Sequence, residues 1–217
     1  MNKRIGLSSL ILGFAVSCAL SVPIATLSGC RRSDDHINSS TQSPLMRQYG
    51  DRNAPVQMDM YFSYADPFSK MWIENEFPQI MADYVNSGKV FVTLRDFPLT
   101  SIHPQSLEAA IMGRESALLD TVVHGALMTD LFNNQSTWVS ASTPQQLYAI
   151  AQAHGIDPQT TNRGAHIAEI NKDKNAGQTI GVMGVPYFQV RSKKLPPELI
   201  TGAQPYNAFK IVIDAHL

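Results

Sequence analysis

Cysteine is scarce in this chain: only Cys18 and Cys30 occur among its 217 residues. A disulfide framework is therefore excluded for everything after residue 30. Metal-ligand spacing is missing as well, because His103, His124, His154 and His166 are scattered and form no His-x-x-x-His pair. The sequence has no glycine-rich phosphate loop and no internal repeat. Positive charge is not in excess, with 17 Lys+Arg against 18 Asp+Glu, which argues against nucleic acid as a partner. These absences leave no metal and no cofactor to expect.

One long apolar run is present. Leu7 to Val22 follows the positive residues Lys3 and Arg4 and gives way to small residues ending in Leu27-Ser28-Gly29-Cys30. This is the layout of a secretory signal peptide. An uncleaved anchor is the alternative by length, since about 18 apolar residues suffice to span a bilayer. Pro23 and the polar run after Cys30 weigh against that alternative. Leu27 to Cys30 is similar to a bacterial lipobox, which implies thioether lipidation of Cys30, cleavage before it and an acylated amine. Cys18 fits less well, because Ala15 stands where a branched residue is wanted. The expected organisation is a signal peptide over 1–29, a lipidated Cys30 with a flexible polar tether over 30–44, and a folded domain over 45–217. Acyl chains anchor strongly, each buried methylene adding about 0.8 kcal/mol. The membrane is then a partner through Cys30, on the periplasmic side. Arg31 after Cys30 resembles an outer-membrane sorting signal of enteric bacteria. With Cys18 lost and Cys30 acylated, no free thiol remains.

The rest of the chain alternates strand and helix signals. Ser43-Pro44 is expected to open a short helix over Leu45 to Tyr49. Val56, Met58, Met60 and Phe62 recur with period two, so a strand is expected. Asp66-Pro67 then opens a helix, Asp as N-cap and Pro at the first position. Phe68, Met71, Trp72, Phe77, Ile80, Met81 and Tyr84 give that helix an apolar face, Pro78 should kink it, and Ser87-Gly88 ends it. Val90, Val92 and Leu94 make a second strand, which closes a right-handed βαβ unit with parallel strands. A helical stretch from about 104 to 180 follows. In it Leu107, Ala110, Ile111, Leu118 and Val122 share one face by spacing. Thr143-Pro144 opens a helix ended by His154-Gly155, and Asp157-Pro158 opens another running to about Gly177. Tyr187 to Arg191 and Leu199 to Gly202 read as a hairpin. Pro205 opens a last helix carrying Phe209, Val212 and Ile213. The order is β-α-β, helical insert, β-β-α: an α/β chain with the thioredoxin order and a helical subdomain between its halves.

Several segments then resemble the DsbA family. Gly50-Asp51-Arg52-Asn53-Ala54-Pro55-Val56 is similar to its approach to the first strand, and Phe62-Ser63 to that strand's end. Arg95-Asp96-Phe97-Pro98-Leu99 with His103-Pro104 resembles its second strand and the start of its insert. Leu131-Phe132-Asn133-Asn134-Gln135 and Trp138 resemble the middle of the insert. Gly181-Val182-Met183-Gly184-Val185-Pro186-Tyr187-Phe188 resembles the loop that carries the family's cis-proline. The resemblance spreads over most of Gly50 to Asp214 and implies a thioredoxin-like fold with an inserted helical subdomain.

The departure is at the site. Where the family has Cys-Pro-x-Cys followed by Lys, this chain has Asp66, Pro67, Phe68, Ser69 and Lys70. Thiol–disulfide exchange needs a thiolate and a second thiol to resolve the mixed disulfide, and neither Asp66 nor Ser69 supplies one. No catalytic residue is therefore expected. The helix terminus should hold Asp66 ionised, and a nucleophilic Ser69 would need a histidine in reach, for which His103 is the candidate. The simpler reading is that Asp66 caps the helix and Ser69 fills space. In the resembling family the residue before the cis-proline, here Val185, has a free backbone that pairs with an extended peptide by strand addition, so Val185 and Pro186 are the expected peptide-binding positions. Lys193-Lys194 is a solvated hairpin edge or a partner contact. The reading is a redox-inactive envelope lipoprotein that binds a protein or peptide. Its alternatives are a thiol-independent enzyme using Asp66 and Ser69, and a structural lipoprotein of a secretion or conjugation apparatus.

Overall fold

The structure, a computed structural model, describes residues 47–217. The expected signal peptide, Cys30 and tether lie outside these residues, so the fold concerns the domain alone.

Five strands form one mixed sheet in the order β1-β3-β2-β4-β5. The central strand is β2 (Val56–Phe62), parallel to β3 (Val90–Asp96) with Val56 opposite Val90 and Phe62 opposite Asp96. On its other side β4 (Tyr187–Ser192) runs antiparallel, Tyr61 opposite Tyr187, and β5 (Glu198–Thr201) completes the hairpin. Alternation made β2 legible, but the strand is covered on both faces. Val56, Met58, Met60 and Phe62 enter the main core, while Asp59 and Tyr61 on the opposite face are also buried.

The two-residue strand β1 (Gln48–Tyr49) stands where a helix over Leu45–Tyr49 was expected. It pairs antiparallel with β3, and Arg47 C=O accepts the Leu94 N–H at 2.8 Å. A helix this short is poor at closing its own hydrogen bonds. The open edge of β3 offers partners that local propensity cannot reveal; residues 45 and 46 lie outside the described range.

The segment after β2 is broken rather than simply kinked. Helix α1 (Pro67–Asn75) stops at Glu76, a short α2 (Phe77–Ile80) follows, and Met81–Val85 forms a π-helical stretch. Pro78 has no N–H to give the carbonyl four residues back, and its ring crowds that turn. It also biases Phe77 away from helical backbone. Glu76 then accepts the Tyr206 N–H at 2.7 Å, at the start of α8 (Tyr206–His216). Trp72 binds this layer together, with ring centroids 4.5 Å from Phe188 and 5.0 Å from Phe209.

Between β3 and β4 lie α3 (Ser106–Leu119), α4 (Thr121–Asn133), α5 (Gln135–Trp138), α6 (Gln145–Ala153) and α7 (Arg163–Thr179). The stripe expected from spacing fails at its far end. Asp120 adopts extended backbone and caps α4 by accepting the Val122 N–H at 2.6 Å. The helical phase is lost there: Ala110 and Ile111 are buried, while Leu118 is exposed and Val122 is 77% exposed. Helix α7 also starts later than Asp157-Pro158 suggested. Asp157 holds a turn through Gln159 and Thr161, short polar residues that compete for the backbone. Asn162 is the actual cap, accepting the Ala165 N–H at 3.3 Å.

Candidate functional site

The site is built where β2 ends. Ser63, Tyr64 and Ala65 turn the chain, and Asp66 then takes extended backbone (φ −91°, ψ 123°) as N-cap of α1. Its Oδ2 accepts the Ser69 N–H at 2.6 Å, and its C=O accepts the Lys70 N–H at 3.1 Å. The helical insert clamps the same turn. Gln135 Nε2 donates to Tyr64 C=O at 2.9 Å and to Asp66 C=O at 3.3 Å, and Lys70 Nζ donates to Phe132 C=O at 3.1 Å.

The shift at Asp66 runs opposite to the one that the helix terminus alone argues for. Its side chain is only 6% exposed, and burial pushes its carboxyl above the ordinary carboxylate value. Hydrogen bonds from Ser69 and Phe68 and the charge of nearby His103 oppose the shift without reversing it. Desolvation therefore outweighs the helix terminus, which was expected to hold the group ionised.

Ser69 is wholly buried. Its Oγ accepts the Ser63 N–H at 3.4 Å and bonds no histidine. His103 donates its backbone N–H to Leu99 C=O at 2.9 Å, and its Nδ1 is buried with no hydrogen-bond partner. Nucleophile and base are not assembled here, which a serine mechanism requires. Pro67 and Phe68 instead face outward, Phe68 with 59% of its surface exposed beside exposed Met71.

The register Tyr61–Tyr187 places the residues after β2 and those before β4 at the same end of adjacent strands. There the Val185–Pro186 peptide bond is cis. Pro186 C=O accepts the Gly202 N–H at 2.9 Å, whereas Val185 makes no backbone hydrogen bond among the described residues. Next to this loop is a cleft of about 570 Å³ lined by Phe97, Lys174, Gln178 and Gly181 to Met183. Met183 is 93% exposed.

This arrangement is shared with known proteins. The thioredoxin family model matches residues 42–215. The chain belongs to the thioredoxin family. Wolbachia pipientis alpha-DsbA1 has a similar structure, with TM-score 0.65 and 24% identity over 77% of this chain and 88% of that one. Oxidised Bacillus subtilis BdbD gives TM-score 0.65 at 21% identity, covering 78% and 91%. A periplasmic thioredoxin-like protein of Salmonella enterica serovar Typhimurium gives 0.60 at 19% identity, covering 81% and 91%. No protein of curated function matches. At these identities the likeness establishes a DsbA-like thioredoxin fold with an inserted helical region.

Within this thioredoxin fold the sequence reading missed a chain of charge that runs from buried Arg47 and Asp96 to half-buried Arg95 and Arg191. Arg47 grips Asp96 through both guanidinium ends, and Arg114 Nε reaches the same carboxylate at 2.6 Å. Arg114 also pairs with Asp173, Asp173 with Arg95 at 3.1 Å, Arg95 with Asp59 at 3.1 Å, and Asp59 with Arg191. Four arginines and three aspartates thus connect the residue before β1, and β2, β3 and β4, to α3 and α7. Arg95 and Asp96 point to opposite faces of β3 because neighbours on a strand alternate, and α3 and α7 close the circuit around the strand's end. The adjacent pair Arg95-Asp96 was visible in the sequence. Its partners lie 18 to 78 positions away, where no spacing rule applies.

A second buried polar group lies under the turn. His124 Nδ1 is 2.9 Å from Ser116 Oγ, and its ring stands edge-on to Tyr64 at 6.5 Å. Burial, and then the charge of Arg47, push its pKa down to about 4. Among the described residues no group of three or more His, Cys, Asp or Glu side chains is placed to hold a metal ion. No described helix is long and apolar enough to cross a membrane.

Proposed function

We propose that this thioredoxin-family chain is a redox-inactive binding module of the bacterial cell envelope, anchored through a lipidated Cys30, more readily on the outer than the inner membrane. It takes an extended protein or peptide segment at the pole formed by Phe68, Met71, Met183 and the Val185–Pro186 loop. The observation that carries the reading is Val185, whose backbone is unpaired at a strand end beside exposed apolar side chains. An extended peptide satisfies such a backbone by strand addition and gains affinity from apolar neighbours. No thiol is needed for this. The residues at the resembling family's cysteine positions serve other ends: Asp66 is spent on the cap and Ser69 is enclosed. The periplasmic thioredoxin-like protein among the structural relatives fits the envelope location.

The test has two arms. Purified protein should fail to reduce insulin disulfides, whereas Asp66→Cys/Ser69→Cys should gain measurable reduction. The chain captured from its native envelope after cross-linking should carry an enriched protein, identified by mass spectrometry and lost in Phe68→Glu. Disulfide reduction by the wild type defeats the redox-inactive reading. Absence of an enriched partner, or one retained in full by Phe68→Glu, defeats the binding reading at this pole.

A further inference from the structure

A second cleft lies at the opposite end of β2, about 20 Å from the Asp66 turn for a seven-residue strand at about 3.3 Å per residue. It measures about 760 Å³, within the range of small-molecule sites. Its walls are the loop between β1 and β2, the end of β4 with the turn that follows, and the end of α8. Arg52, Arg191, Lys193, Lys194 and His216 all line it. None of the described Asp and Glu residues does, and Leu217, the last residue of the sequence, completes the lining. In a chain whose formal charge is −1, that segregation is the opposite of what composition leads one to expect.

The surroundings are held in place without neutralising Arg52, Lys193 or Lys194. Gln57 Nε2 donates to Arg52 C=O at 3.2 Å and to Ala54 C=O at 2.9 Å, and Asp51 turns the loop by accepting the Asn53 N–H at 2.8 Å. Ser192 Oγ accepts the Lys194 N–H at 3.1 Å and meets His216 Nδ1 at 3.0 Å. Of the lining cations only Arg191 has a full carboxylate partner, Asp59, and its Nε is buried without a hydrogen bond. His216 is buried and its Nε2 is likewise unpartnered, the nearest carboxylate being Glu198 at 3.7 Å, beyond hydrogen-bond reach. Among the described residues Arg52, Lys193 and Lys194 form no ion pair.

Like charges drawn together in a concave site repel one another and raise the local potential, which an incoming anion relieves. Guanidinium forks and ammonium groups around one space suit a phosphoryl group, which accepts several charge-assisted hydrogen bonds at once. We propose that this cleft binds a phosphate-bearing ligand, independently of any peptide at the other pole. The phosphate belongs to a soluble phosphorylated compound or to a lipid headgroup.

Calorimetric titration of the full-length chain separates these sources. The probes are inorganic pyrophosphate and water-soluble dihexanoyl phosphatidic acid below its micelle concentration. Saturable binding is expected, weakened at least about tenfold in Arg52→Ala/Lys193→Ala/Lys194→Ala because several charged hydrogen bonds are lost together. It should be unchanged in Lys172→Ala, which removes an exposed lysine from α7. Tighter pyrophosphate binding assigns a soluble ligand, and tighter phosphatidic acid binding a headgroup. Failure of both probes to saturate, or equal weakening by the α7 substitution, overturns the proposal. All three residues of the triple variant are exposed or on a loop, and an unchanged melting temperature will show that its fold is intact.

Discussion

The Asp66 carboxylate and the Ser69 backbone N–H meet at 2.6 Å across the first turn of α1. The bond satisfies a helix donor that has no intrahelical partner. It also holds a buried carboxyl whose pKa is raised by desolvation. An acid with a raised folded-state pKa contributes most below its unfolded pKa and loses that contribution as pH rises through the folded value. Asn is as good an N-cap as Asp but carries no charge. Asp66→Asn should therefore equal or exceed the wild type in urea denaturation at pH 7, while Asp66→Ala should lose about 1 kcal/mol. Equal losses in both variants would contradict this account of the residue.

Asp96 takes hydrogen bonds from Arg47 and Arg114 in a site from which water is excluded. Removing it strands the buried Arg47 guanidinium and leaves Arg114 with Asp173 alone, and breaking a buried pair in this way costs about 3–5 kcal/mol. Asp96→Ala should show that loss in chemical denaturation. The exposed pair Lys210–Asp214, also 2.6 Å apart, should give no measurable change in Lys210→Ala, because solvent screens it. A mild Asp96→Ala phenotype would mean that the charge chain does not staple the helical insert to the sheet.

His124 sets a pH dependence. Its pKa falls from 6.5 to about 4 on folding, so between those values the unfolded chain binds the extra proton. Stability from this group is present above pH 6.5 and is lost as pH falls toward 4. The loss is on the order of 3 kcal/mol at completion, at about 1.4 kcal/mol per unit. Denaturation curves at pH 7 and pH 4.5 for the wild type and His124→Gln give the test by difference. The variant should be less sensitive to acid, and an identical acid response in both proteins would remove His124 from the explanation.

Gly113 and Gly125 both occur inside helices, and local propensity treats them alike. A Cβ on Gly113 would collide with the ring and hydroxyl of Tyr64, while one on Gly125 meets nothing within 4 Å. Gly113→Ala should destabilise by about 1–3 kcal/mol through overpacking. Gly125→Ala should stabilise by about 0.5–1 kcal/mol, the gain in helix propensity. Thermal melts of the two variants should move in opposite directions.

The sequence by itself determined what a few neighbouring residues settle among themselves. Asp66-Pro67 marked the start of α1 because cap and first-turn chemistry are complete within four positions. Alternation found β2 and β3, and the hairpin of β4 and β5 followed from short strands around a turn. The absence of cysteine after residue 30 leaves no cysteine in the Asp66 turn, and this is read from the sequence alone.

The tertiary structure decided whatever depends on which distant groups share a low-dielectric site. It turned Gln48–Tyr49 into an edge strand, exposed Val122, and enclosed Ser69 with no hydrogen bond to His103. It raised the pKa of Asp66, where the helix terminus alone argued for the reverse. It also gathered Arg52, Arg191, Lys193, Lys194 and His216 around one cleft, although Lys193-Lys194 had read as an ordinary solvated edge. Hydrogen bonds along the backbone are short-range and are written in local sequence. Desolvation and charge pairing act between residues that only the folded chain brings together.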